Sequence, residues 1–449
     1  MPNSESCRSI LHSRYNPIAE AERYIDTLSL REGVDFFILI EPGMGYIISP
    51  LQKKFPCAKI VCLHVEDADV QAILEREIPD VYASSIEIIE WKPSQRLFGE
   101  KYLHLLSETT AFIKRANANK YTTDYFSERW FSNFFKNVDS IKKFIIFERF
   151  DKPIIVVGAG PCLEDSMQAI KALQKKGAFV LAVSAACATL LKNDVLPDMV
   201  VASDGGNWAV FHLFELVRLY RQTTGVEVPV AATMNAALPV QIADLPMLLI
   251  TDGSLWQNTV LKTLGFPFFG MPQRGTVTAQ ALDLAFALTP TSVFITGMDL
   301  ANRDILVHAR PYALDFHVHA ATRLKPLYSS AFVGAANNSF AVYAEWFKRK
   351  LNFYPKRLFT IGENHQVFSS LPVWIDAKIA DKQFRQEARI FSLDRSTKGI
   401  YGKKAVEILL SALKNGVYGQ KIAGEIAELL SCVVDEKTIM EKANHPSGV

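Results

Sequence analysis

Four consecutive β-branched residues, Ile154, Ile155, Val156 and Val157, run directly into Gly158-Ala159-Gly160-Pro161-Cys162. A short β-branched run bounded by a glycine turn reads as a buried strand. Residues 163–175 then place Met167, Ile170 and Leu173 at near-helical spacing behind an acidic first turn of Glu164 and Asp165, which predicts a helix. Strand, glycine turn and helix suit an anionic ligand, because glycine lets the backbone approach it and the helix start offers free N–H groups. The turn is shorter than the dinucleotide fingerprint G-x-G-x-x-G and is not a P-loop. A packing turn is the competing reading.

Its surroundings favour a site. Residues 179–184 form a second apolar run ending on Ser184, and 199–203 a third leading to Asp204-Gly205-Gly206. Further runs lead to Asn235, to Asp252 and to Gly297-Met298-Asp299. Strands roughly 20–25 residues apart with helical spacers predict βαβ units and a parallel sheet, whose ligand crevice lies outside the carboxyl ends of the strands. Small and acidic residues recur at that edge. Each alone reads equally as a turn former.

With these motifs assembled, the sequence resembles a known family. The run PIIVVGAGPCLED, LPD at 196–198, Ser203-Asp204, ITGMDLA at 295–301 and His308-Ala309 are similar to the domain shared by bacterial motility accessory factors and archaeal 6-hydroxymethylpterin diphosphokinases. Residues 11–23 and 123–137 resemble segments of the longer, motility-type members. The resemblance covers roughly residues 10–315 and, as for any motif match, is specific for the family rather than for one reaction. It implies a Rossmann-like, sialyltransferase-like core and attachment of a nonulosonic acid, pseudaminic or legionaminic, to flagellin. One position departs from the family. Members commonly carry Ser after the Gly-x-Gly-Pro turn, as do bacterial sialyltransferases of similar core fold, whereas this chain has Cys162, a weaker hydrogen-bond donor.

Composition narrows the class. The chain has 449 residues, 49% hydrophobic and 21% charged, enough to bury more than one core. A net charge of +2 gives no electrostatic footprint for nucleic acid. The cysteines, Cys7, Cys57, Cys62, Cys162, Cys187 and Cys432, lack zinc-ligand spacing and read as reduced thiols of a cytoplasmic protein. The first residues lack an apolar signal core, and the most apolar run is too short to span a bilayer.

The expected architecture is α/β. A smaller Rossmann-like domain occupies 1–100, with a Gly43-Met44-Gly45 turn and a second strand ending at Glu66. That turn is either a ligand site or purely structural. A helical connector follows at 101–147, carrying Tyr121, Tyr125, Phe126, Trp130, Phe131, Phe134 and Phe135 as core. The catalytic, mostly parallel sheet is placed at 148–330 and a mostly helical region at 331–449, which includes a last strand at RLFTIG.

Transfer from a CMP-activated sugar needs a nucleotide cradle, a base at the acceptor hydroxyl and a group that stabilises the departing phosphate. Gly158, Ala159, Gly160, Pro161 and Cys162 are candidates for the cradle, with Ser184 and Asn235 at neighbouring strand ends. Asp204 suits a ribose hydroxyl or the acceptor. His308 is the favoured base because imidazole titrates near neutrality, and Asp299 is its competitor. Arg274 would meet the donor's carboxylate or phosphate, while Thr276 is a ready N-cap. Arg310, His317, His319 and His365 cluster nearby in sequence, but a metal would need a third ligand converging on the H-x-H pair, and no metal or resident cofactor is expected. The leading expectation is a glycosyltransferase using a CMP-sugar donor, with flagellin as acceptor. The alternatives are a pyrophosphokinase using ATP and Mg2+ on hydroxymethylpterin, and a non-catalytic flagellin-binding scaffold.

Overall fold

The computed structural model describes residues 11–31, 33–78, 85–223, 225–303, 306–315, 338–351, 354, 356–362, 364–374, 386–393, 400–418 and 420–433. The chain divides into two compact units, residues 1–127 and 128–449. The division falls inside a single helix rather than at the expected ends of a connector.

In the first unit, helix α1 (Pro17–Thr27) precedes strand β1 (Phe36–Ile40), which pairs in parallel with β2 (Lys59–Leu63) on one side and β3 (Ile86–Glu90) on the other. Helices α2 (Ile48–Lys54), α3 (Val70–Glu77) and α4 (Lys92–Phe98) alternate with the strands, and α5 (Glu100–Ser140) follows. Side chains along a strand alternate faces, so β1 is buried on both. Phe36, Ile38 and Ile40 pack with Tyr102, Leu105 and Phe112 of α5, and Phe37 and Leu39 pack with Ile25, Ile47, Leu51 and Trp91. The Gly43-Met44-Gly45 turn is present, with φ +63° and +76° at its glycines. Its amide is already used: Met44 N–H donates to His12 Nε2 at 2.9 Å. Glu66 pairs with Lys101 at the surface, and Glu41, buried at the end of β1, accepts from Val65 N–H at 2.8 Å instead.

The second unit is one large sheet. In chain order its elements are β4 (Lys143–Phe150), β5 (Ile154–Val157), α6 (Leu163–Lys175), β6 (Phe179–Val183), α7 (Cys187–Lys192), β7 (Met199–Ala202), α8 (Phe214–Gln222), β8 (Val230–Thr233) and β9 (Pro246–Thr251). They continue with α9 (Leu255–Leu264), β10 (Phe268–Gly270), α10 (Val277–Leu288), β11 (Val293–Thr296), α11 (Asn338–Lys350), β12 (Leu358–Thr360), β13 (Gln386–Ser392), α12 (Ile400–Lys414) and α13 (Gln420–Val433). The strand order is β12-β11-β5-β6-β7-β8-β9-β4-β13, with β10 also on β9. All pairings are parallel except β13 on β4. Strands β5 to β9, and β11 with them, are buried at every residue, as a sheet covered on both faces requires.

Residues 143–150 form a strand, not the end of a helical connector, and in 331–449 the expected strand at RLFTIG, β12, is joined by a second, β13. Within α5 the aromatic stripe splits. Phe131, Phe134 and Phe135 are buried, whereas Tyr121 and Tyr125 are exposed.

Candidate functional site

The chain passes from β5 outward to β9 and then returns to lay β11 on the other side of β5. Strand order therefore reverses between β5 and β11, and a crevice at such a switch point, at the carboxyl ends, is where open α/β sheets place ligands. The turn 158–162 follows β5 and Gly297-Met298-Asp299 follows β11.

These two turns lock together. Gly160 N–H donates to Gly297 carbonyl at 2.9 Å and Gly158 N–H to Thr296 carbonyl at 2.8 Å. A Cβ at Gly158 would lie 2.3 Å from the Gly297 oxygen, and one at Gly160 would lie 2.0 Å from Asp299 Oδ2. Glycine is thus demanded at both positions by the approach of another part of the chain. The start of α6 lacks a local cap: Cys162 stands at the N-cap position with no side-chain capping bond. Asp299 supplies it from 137 residues away, both carboxylate oxygens accepting from Cys162 N–H at 3.0 and 3.1 Å. Burial raises the Asp299 carboxyl, while the Cys162 hydrogen bonds and nearby Arg303 oppose the shift. The protein's own carboxylate therefore holds the amide at which the sequence places a phosphate. Burial, then Asp299, push the Cys162 thiol up to about 12, and its Sγ lies 3.9 Å from Asn364 Oδ1.

The segment 306–315 docks onto this floor. Ala309 N–H donates to the Ala159 carbonyl at 2.9 Å, Arg310 N–H to Glu164 Oε1 at 2.7 Å, and Thr189 Oγ1 to the carbonyls of Ala309 and Pro311, each at 3.1 Å. His308 is thereby held next to the glycine turn. Its ring lies 4.1 Å from that of Tyr312, which in turn lies 5.2 Å from His212. Asp204, at the end of β7, acts electrostatically on both His212 and Tyr312. Asp204, His212, Tyr312 and His308 therefore form one cluster along the strand ends. Burial lowers the His212 imidazole against the opposing pull of Asp204, so the ring is held neutral, and its Nδ1 is buried without a hydrogen-bond partner among the described residues. Burial, Asp204 and Asp315 raise the Tyr312 phenol, which stays protonated.

The loops below are braced from α5. Asn133 Nδ2 donates to the carbonyls of Gly205 and Asn235, and Asn137 Nδ2 to those of Met234 and Ala236. Asp204 Oδ1 accepts from Gly206 N–H at 2.7 Å, which fixes the loop after β7.

Of the residues singled out in the sequence, the structure brings together Asp204, His308 and Asp299 with Gly158, Ala159, Gly160, Pro161 and Cys162. Ser184 is buried in the turn after β6. Asn235 is committed elsewhere: its amide oxygen accepts from Gln257 at 2.8 Å and its Nδ2 donates to Asp252 at 3.2 Å. Arg274 is engaged by Asp283 at 2.6 Å and lies over Trp346, and Thr276 caps α10. His365 caps a short 3₁₀ turn through Val367 N–H. His317 and His319 lie outside the described residues. Among the described residues no group of His, Cys, Asp and Glu is arranged to hold a metal ion. His212 and Tyr312 escaped the sequence reading. The signal for His212 is its place eight residues after the strand-end Asp204, in a stretch whose other apolar residues mask it.

Fold and cluster together define a Rossmann-like α/β domain whose polar side chains gather at the sheet's switch-point edge. Residues 128–304 match the family described as 6-hydroxymethylpterin diphosphokinase MptE-like. A Treponema pallidum (strain Nichols) protein described as uncharacterized is 26% identical over 279 residues, 62% of this chain and 60% of its own length. A second protein of that organism, described in the same way, is 30% identical over 191 residues, 41% of this chain and 32% of its own length. The chain thus spans 60% and 32% of these curated relatives. A solved structure titled MAf glycosyltransferase from Magnetospirillum magneticum AMB-1 is 18% identical with a TM-score of 0.38, covering 64% of this chain and 52% of that one. No helix among the described residues is long and apolar enough to cross a membrane.

Proposed function

We propose that the protein is a glycosyltransferase that passes a nonulosonic acid from its CMP conjugate to Ser or Thr hydroxyls of flagellin. The observation that carries this reading is the cluster of Asp204, His212, Tyr312 and His308 at the carboxyl edge of an MptE-like sheet. In this reading the nucleotide lies across the ends of β5 and β6, between the glycine turn and Ser184, while Asp299 keeps the turn closed from behind.

The chemistry follows from the states of the side chains. The acceptor hydroxyl must lose a proton as its oxygen bonds to the anomeric carbon and the bond from that carbon to the CMP phosphate oxygen breaks. A histidine held neutral by burial is ready to take that proton, and the Asp204 carboxylate offsets the imidazolium that forms. His308 is the second candidate for that role. The Tyr312 phenol, kept protonated, donates a hydrogen bond to the departing phosphate, where charge develops.

Calorimetry with CMP and with ATP tests the donor. Binding of CMP and not of ATP supports glycosyl transfer; the reverse removes it, and binding of neither favours a scaffold.

A further inference from the structure

From the candidate site the chain continues along a helical segment that is buried on one side and open on the other. Ala209, His212, Leu213, Leu216 and Val217 are buried, whereas Trp208 is 52% and Phe214 46% exposed. Trp208, Phe211 and Phe214 recur every three residues across the 3₁₀ turn Asn207–Leu213 and the start of α8. Their rings form a ladder, Trp208 stacked on Phe211 at 5.6 Å and Phe211 against Phe214 at 4.9 Å. The ladder opens onto a hollow of about 460 Å³ lined by Phe214, Val217, Arg218, Arg221, Gln222 and Gln241. Arg218 is paired with Glu215 at 2.7 Å, and Arg221 is exposed.

We propose that this face holds the acceptor: an extended polypeptide segment with apolar side chains on the Trp208–Phe211–Phe214 ladder and a carboxylate at Arg221. The proposal rests on the glycosyl-transfer reading and specifies what an acceptor must look like. Three observations converge on it. Trp208 stands four residues beyond Asp204, so the ladder starts at the reacting edge. Large aromatic surface left in water is the usual mark of a contact surface, and the exposed Arg221 guanidinium at the far end suits a carboxylate. From Trp208 to Arg221 the segment runs about 22 Å along its axis, at ~2.0 Å per residue in a 3₁₀ turn and ~1.5 Å in an α-helix. An extended chain covers that in about seven residues.

The test is fluorescence anisotropy of the full-length protein with a labelled nonapeptide, Glu-Leu-Leu-Ser-Ser-Ser-Leu-Leu-Glu, and its counterpart with lysine at both ends. Trp208→Ala and Arg221→Glu are compared with the parent protein after circular dichroism confirms folding, and CMP binding is measured on all three. The acidic peptide is expected to bind at least tenfold more tightly than the basic one. Trp208→Ala should weaken it at least tenfold, and Arg221→Glu should reverse the charge preference. CMP affinity should stay unchanged. Equal binding of the two peptides, or no change in either variant, overturns the proposal. So does self-association in sedimentation that Trp208→Ala abolishes, since the face is then a contact between copies. If the peptide results hold but even the parent protein fails to bind CMP, the acceptor face stands and the glycosyl-transfer reading falls.

Discussion

Gly160→Ala is expected to destabilise the second unit severely, and the structure sets the scale. A Cβ at Gly160 would lie 2.0 Å from Asp299 Oδ2 and 2.8 Å from the Gly297 oxygen. Ordinary van der Waals separation begins near 3.4 Å, so the Asp299 carboxylate must give by about 1.4 Å and the Gly297 backbone by about 0.6 Å. That stretches the 2.9 Å bond from Gly160 N–H to Gly297 and the 3.0 Å bond from Cys162 N–H to Asp299 beyond useful length. Overpacking costs about 1–3 kcal/mol, and a buried donor left unpaired about 1–3 kcal/mol more. The sum, about 2–6 kcal/mol, is a large part of the ~5–15 kcal/mol that holds a typical protein folded. Urea unfolding followed by circular dichroism measures it. Gly424→Ala is the control, because that helical glycine has open space around it, and removing a glycine there should be neutral or stabilising by up to ~1 kcal/mol. Asp299→Ala removes the closest clash along with the cap, so the double variant Gly160→Ala/Asp299→Ala should cost less than the two singles summed. A Gly160→Ala protein as stable as its parent would refute the argument.

Other outcomes follow from the same geometry. His212→Ala and His308→Ala, assayed for sugar transfer, should show which of the two histidines is the base. The variant that loses the base falls by roughly 10²- to 10⁴-fold with its melting point nearly unchanged, and equal full activity in both would remove the cluster from the mechanism. Because burial lowers the His212 imidazole, the unfolded chain binds its proton first as pH falls through about 6.5. Stability should therefore drop below that pH, and His212→Gln should flatten the drop in urea midpoints between pH 5 and 8; an unchanged slope would contradict the shift. His365 is lowered by burial in the same sense, so some slope persists. Cys162→Ser should keep or improve donor affinity, since the hydroxyl is a stronger donor at the same position, and complete loss of activity would assign a role to the thiol itself.

Much of the sheet was legible because its strands are short β-branched runs closed by glycine or acidic turns, as at residues 154–158 and 199–205. Residues 143–150 hid because KFIIFERF follows a long helix and its contiguous Phe144, Ile145, Ile146 and Phe147 carry no period that separates strand from helix. Partnerships were less legible than elements. Gly158 and Gly160 announce a close approach but not what approaches, and the Asp299 cap closes over 137 residues. Arg274 and Asn235 look available in sequence because Asp283, Trp346, Gln257 and Asp252, which engage them, are identified only by the folded chain. His212 reads as one more position on an apolar helix until Tyr312 and Asp204 arrive beside it.

The central claim is sugar transfer, and intact mass spectrometry of unmodified flagellin incubated with the purified protein and a CMP-activated nonulosonic acid tests it most directly. The account predicts a mass increase of whole sugar residues with matching release of CMP, absent in the variant lacking the base. Flagellin of unchanged mass, together with transfer of diphosphate from ATP to hydroxymethylpterin by the same preparation, would contradict it.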